Sequence, residues 1–135
     1  MGVFIDTGIF VAIRNADDKY HEKAKNLMRR ALKGEFGLIY TSNFIFDEAV
    51  TVALVRTKRI DLAIDVGNYI LSSRRIRMIF VDQVIFEDSW KIMQKYSDKM
   101  LSFTDATTIA IMRRYGIFYL MSFDERLKSI VATVK

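Results

Sequence analysis

The sequence predicts an α/β fold: a three-layer α/β/α sandwich around a central, mainly parallel sheet of about five strands. Three observations carry this expectation. Short, nearly all-apolar runs recur along the chain and alternate with longer stretches of helical period, as expected of buried parallel strands joined by helical crossovers. No proline, repeat, low-complexity tract or linker-like run interrupts the alternation, so residues 1–135 are expected to form a single domain. A chain of 135 residues with 51% hydrophobic and 27% charged residues can bury one sizeable core.

The strands are expected at Val3–Ile5, Phe36–Thr41, Arg77–Val81 and Ile117–Met121, with Ile130–Val134 as a fifth. After the first strand, Thr7-Gly8 turns into apolar, helix-like sequence. Tyr20 to Leu32 puts Tyr20, Ala24, Leu27, Met28, Ala31 and Leu32 on one stripe with Lys and Arg opposite, and Gly34 stops it. Further helices are expected over Phe44–Thr57, Asp61–Ser72 and Val84–Tyr96. Another, Thr104–Tyr115, closes with Arg113, Arg114 and Gly116, a helix-stop signature. Right-handed crossovers between these strands give the sandwich. In such sheets a ligand site lies outside the carboxyl ends of the strands.

The chain has no cysteine, which excludes disulfides, thiolate zinc sites and cysteine nucleophiles and suits a cytoplasmic protein. Its start runs straight into Val3-Phe4-Ile5, so no signal peptide is expected. No apolar run is long enough for a bilayer, so no membrane partner is expected. The net charge is +5 and the pI about 9.5. If four acids converge on one spot, the remainder carries about +9, a surface that attracts polyanions such as nucleic acid.

Four acids fall where a site should be. Asp6 directly follows the first strand and, alone, would serve as a helix N-cap. Glu48 has Phe44, Ile45, Val52 and Val55 as helical neighbours, a position where a carboxylate needs a basic partner, a hydrogen-bond set or a cation. Structural pairing and function are equally good readings of it. Asp105 fits the capping box Ser102-x-x-Asp105. Asp124 follows the Ile117–Met121 strand, with Ser122 and Glu125 as a further possible capping box around it. Each acid has a structural explanation, but their shared edge does not follow from capping. Clustered carboxylates repel and raise one another's pKa unless cations neutralise them. Oxygen ligands with no Cys or His nearby suit Mg²⁺ or Mn²⁺, which can activate water and position a phosphodiester.

The segments Phe4-Ile5-Asp6-Thr7, Thr41-Ser42-Asn43-Phe44-Ile45-Phe46-Asp47-Glu48, Leu101-Ser102-Phe103-Thr104-Asp105-Ala106 and Ser122-Phe123-Asp124 resemble, in that order, the PIN-domain ribonucleases, particularly the small VapC-like toxins of toxin–antitoxin modules. The resemblance implies divalent-metal-dependent endonucleolytic cleavage of RNA, with water as nucleophile. It also implies a homodimer and a small antitoxin that blocks the site. By the same resemblance Asp6, Glu48 and Asp105 form the metal-binding core, Asp124 acts through water or on a second ion, and Thr7 and Thr104 are supporting hydroxyls. A housekeeping PIN nuclease in RNA processing and a non-catalytic RNA-binding or interaction module are the alternatives.

Other residues are expected to be structural. His21, the only histidine, lies in a lysine-rich helix start and reads as a surface residue. Asp82 is expected to cap the helix beginning near Val84. The Arg74, Arg75 and Arg77 run and the Arg29-Arg30 pair read as solvated faces, with RNA backbone contact as the minority reading. Phe86, Trp90 and Met93, at helical spacing, are expected in the core or a dimer interface. No Gly-rich phosphate loop, H-E-x-x-H or G-x-S-x-G motif is present. A response-regulator receiver would need an acid beside Asp6 and a Lys ending a late strand at that edge, and has neither.

Overall fold

In the computed structural model, which describes Met1–Lys135, the five strands are β1 (Val3–Ile5), β2 (Ile39–Ser42), β3 (Ile76–Ile79), β4 (Tyr119–Met121) and β5 (Ala132–Val134). They form one sheet in the order β3-β2-β1-β4-β5, and every pairing is parallel. All of β1 is buried, which explains its unbroken apolar sequence: helices cover both of its faces.

The helices are α1 (Thr7–Arg14), α2 (His21–Leu32), α3 (Asn43–Thr57), α4 (Ile60–Ser72), α5 (Gln83–Lys95) and α6 (Phe103–Tyr115). The chain steps outward from β1 to β2 to β3, then crosses to β4 and β5 on the other side of β1. Right-handed crossovers therefore lay α1 to α4 on one face and α5 with α6 on the other. The packing follows that division, with α1 against α2 and α3, α3 against α4, and α5 against α6. No helix is long and apolar enough to cross a membrane.

Strand boundaries differ from the sequence expectation where backbone hydrogen bonds go elsewhere. β2 starts at Ile39 rather than Phe36 because Gly37 takes φ +87°, which breaks the extended run. Phe36 is still buried, edge-on to Tyr119. β3 ends at Ile79 because the Val81 N–H donates to the Asn43 side chain (2.9 Å) instead of extending the ladder. β4 starts at Tyr119 because α6 ends in a left-handed Gly116, with the N–H groups of Gly116 and Ile117 both directed at the Met112 carbonyl.

Burial refines two expected apolar stripes, and for Phe86 and Trp90 it removes the core reading and leaves the dimer interface. On α5 the buried side chains are Ile85, Ser89 and Ile92, whereas Phe86 (52%) and Trp90 (56%) are more than half exposed and Met93 is half-buried. The helix rests on α6 along a narrow face, so the adjacent stripe of larger side chains points outward. On α2, Ala24, Leu27, Met28 and Ala31 are buried, but Tyr20 and Leu32 lie at exposed edges. Asp82 caps α5 as expected, accepting from the Ile85 N–H at 2.9 Å. His21 is half-buried rather than superficial, because its Nδ1 lies 2.7 Å from the Ala12 carbonyl and ties α2 to α1. Arg74, Arg75 and Arg77 are exposed, as are Arg29 and Arg30.

Candidate active site

The strand order reverses direction at β1 and β4, and a crevice opens at the carboxyl end of such a switch point. It is a cleft of about 410 Å³ whose lining includes Asp6, Glu48, Asp105 and Asp124. The β1–β4 register pairs Ile5 with Met121. The next residue on each strand is therefore Asp6 or Ser122, and these two face each other at the mouth.

Asp6 leaves β1 and caps α1. Its Oδ1 accepts from the Thr7 N–H (2.9 Å) and its Oδ2 accepts from the Ser122 hydroxyl (2.6 Å). The residue is buried, and that burial pushes its carboxyl up to about 6. The bonds from Ser122 and Thr7 oppose the rise, while the charges of Asp105 and Glu48 add to it. Ser122 also accepts from the Asp124 N–H (3.0 Å), so one hydroxyl joins two of the acids. The Ser122–Glu125 capping box does not form: Asp124 itself caps the short 3₁₀ turn Glu125–Leu127.

Glu48 is half-buried and faces the cleft instead of the core, with Val52 and Arg56 along the same wall. The partner it calls for is a hydroxyl: Thr7 Oγ1 donates to Glu48 Oε1 at 2.5 Å. Asp105 is buried and completes the expected capping box. Its N–H donates to Ser102 Oγ and its Oδ2 accepts from the Ser102 N–H, both at 3.0 Å. Thr104 lies in the first turn of α6 but not on the cleft wall, where its carbonyl accepts from the Thr107 hydroxyl.

Arg126 was not singled out by sequence, yet it sits among the acids. Its Nη2 contacts Asp124 Oδ2 (2.5 Å) and Asp105 Oδ2 (3.1 Å), and its Nη1 donates to the Met100 carbonyl (2.7 Å). This guanidinium holds the Asp124 carboxyl below its usual value, and the acids raise the pKa of Arg126 in return. No three of the acids close into a group that could hold an ion. Asp18 and Tyr20 also line the cleft, and Tyr20 stacks on Phe123 at 4.5 Å.

A family model described as PIN domain matches residues 3–132. The chain belongs to the PIN domain family. Among curated relatives, this PIN domain protein is 30% identical over 122 residues to the 23S rRNA-specific endonuclease VapC20 of Mycobacterium tuberculosis, covering 90% of this chain and 88% of that one. It is 24% identical over 127 residues to a VapC ribonuclease of Archaeoglobus fulgidus, covering 93% and 79%. The crystal structure of M. tuberculosis VapC20, described as a sarcin–ricin loop cleaving toxin, superposes with a TM-score of 0.84 at 28% identity and 98% coverage of both chains. VapBC2 of Rickettsia felis, bound to a DNA fragment from its promoter, matches with a TM-score of 0.71 at 14% identity, covering 99% of this chain and 98% of that one, a likeness of fold.

Proposed function

We propose that this PIN domain protein is a divalent-metal-dependent endoribonuclease, the toxin of a toxin–antitoxin pair, hydrolysing RNA phosphodiester bonds with water as the nucleophile. The observation that carries the proposal is the convergence of Asp6, Glu48, Asp105 and Asp124 on one cleft at the sheet's switch point.

PIN nucleases generally need a divalent metal, and the donor set here suits one. It consists of carboxylates only, the chain has no cysteine, and the single histidine is bonded to Ala12. Hard oxygen donors of this kind select Mg²⁺ or Mn²⁺. Asp6, buried beside two other acids, also has an electrostatic need for a cation. Asp6, Glu48 and Asp105 would hold the ion, with Asp124 acting through water or on a second ion. Bound there, the ion would supply charge neutralisation for these carboxylates, an activated water and polarisation of the phosphodiester.

The chain's own hydroxyls set the geometry. Thr7 orients the Glu48 carboxylate and Ser122 orients Asp6, so the acids are held in place before substrate arrives. With the four acids set aside, the +5 of the chain leaves about +9 elsewhere to draw in RNA. Exposed Phe86, Trp90 and Met100 supply apolar surface for protein partners, a second copy of this chain and a small antitoxin, within the cytoplasm.

Incubation with structured RNA in Mg²⁺ or Mn²⁺ tests the activity. The sarcin–ricin loop of 23S rRNA, the target in the description of VapC20, is the first substrate to offer. Asp6→Asn and Asp105→Asn are expected to cut at least about two orders of magnitude more slowly. Rates equal to the parent's would sink the site assignment. If saturable Mn²⁺ binding were also missing, the chain would be a non-catalytic RNA-binding module. A small antitoxin-like reading frame immediately upstream of the gene is expected for the toxin role; without one, the housekeeping role gains.

A further inference from the structure

We infer that Arg126 is a built-in counter-cation of the acid site, and that a divalent ion and the seated guanidinium are alternative occupants of Asp105 and Asp124. This rests on the metal-binding reading above.

Arg126 spends three nitrogens here. Nε reaches both oxygens of Asp124 (3.0 and 3.1 Å). Nη2 bridges Asp124 Oδ2 and Asp105 Oδ2, and Nη1 is held by the Met100 carbonyl. Both Asp124 oxygens are therefore used, and Asp105 Oδ2 is shared between Arg126 and the Ser102 N–H. The charge of Asp6 also acts on the guanidinium, so a single cation serves three of the four acids.

A Mg²⁺ or Mn²⁺ ion sits about 2.1 Å from its ligand oxygens. It would compete for the same lone pairs and repel a guanidinium bonded to the other side of the same atoms. The guanidinium has somewhere to go. Its side chain is 46% exposed, and its backbone anchor, Met100, lies on a surface turn with its own side chain 78% exposed. Unseating it therefore disrupts no core packing. A buried Asp105 fixed by its capping box stays in place whichever cation is present. The arrangement lets the acid cluster form without an ion, and it makes metal affinity the result of an exchange.

The test is calorimetric titration of Mn²⁺ into the full-length protein, Arg126→Ala, Arg126→Lys and Lys128→Gln. Lys128 is exposed and pairs with Glu125, so it controls for loss of a nearby positive charge. Arg126→Ala is expected to bind Mn²⁺ at least about tenfold more tightly than the parent, the worth of one charge-assisted hydrogen bond. Arg126→Lys should fall between them, and Lys128→Gln should stay within about twofold of the parent. The melting temperature without metal should drop in Arg126→Ala.

An Arg126→Ala affinity no tighter than that of Lys128→Gln overturns the inference alone. Absence of saturable binding in every protein overturns the metal site together with it. If Arg126→Ala does not fold, the parent supplies the second readout. Its Arg126 Nε–H resonance is expected to be protected from solvent exchange without metal and to lose protection at Mg²⁺ saturation. A signal unchanged at saturation overturns the exchange.

Discussion

Asp6→Asn should make the metal-free protein more stable while destroying the proposed activity. Folding takes the Asp6 carboxyl from an ordinary 3.8 to about 6, mainly by burying it. The folded chain thus keeps this proton to about pH 6, while the unfolded chain releases it near 3.8. Between those values the folded state binds more protons, so stability falls as pH rises and the cost is complete above about pH 6. At about 1.4 kcal/mol for each pH unit, the penalty at neutral pH is on the order of 3 kcal/mol. Asparagine has the same shape and no charge. Its Oδ1 can still accept from the Thr7 N–H, and its amide can donate to Ser122 Oγ after the hydroxyl rotates. The expected gain is about 1–3 kcal/mol, which is roughly 3–5 °C of melting temperature per kcal/mol at this chain length. The assay is thermal unfolding in chelator at pH 7.5 and pH 4. The parent should lag the variant at pH 7.5 and approach it at pH 4, and Mn²⁺ should raise the parent's melting temperature but not the variant's. A variant less stable than the parent at pH 7.5, or a gain of equal size at both pH values, would refute burial as the source of the strain.

Two further outcomes follow from the same cleft. Because Asp6 must lose its proton to bind an ion, Mn²⁺ affinity measured by calorimetry should fall toward tenfold per pH unit below about pH 6; a flat profile from pH 7 to pH 5 would remove Asp6 from the ligand set. Ser122→Ala takes away the hydroxyl shared by Asp6 and Asp124, at a cost of about 1–3 kcal/mol in chemical denaturation. It should also lower kcat about tenfold with KM little changed, and an unaltered kcat would make Ser122 a purely structural link.

The four acids were legible because each stands at a strand end or helix start that hydrophobic pattern alone locates. Glu48 was legible for a reason that needed adjusting. Its apolar neighbours signalled an unusual carboxylate, but that side of α3 borders the cleft, and its partner is the Thr7 hydroxyl. Arg126 was not legible because two residues after an acid is an ordinary place for a surface arginine; its link to Asp105 spans 21 residues. Ser122 carried a signal that capping patterns hid. It takes the position on β4 that Asp6 takes on β1, and parallel pairing in register brings them together. For Phe86 and Trp90, helical period identified a stripe without saying which of two adjacent stripes meets the neighbouring helix, so core and dimer interface both stood open; their exposure removes the core reading.

The bond between Ser122 and Asp6 joins residues 116 apart in sequence across the middle of the sheet. Asp6 and Glu48 arrive with the β1-to-α4 half of the fold, and Asp105 and Asp124 with the half that runs from α6 through the 3₁₀ turn after β4. Neither half contains a site. A chain in which β1 and β4 are unpaired lacks the register that sets Asp6 against Ser122, and with it the shared cleft. On the proposed site, catalytic competence therefore needs both halves joined and reports finished folding.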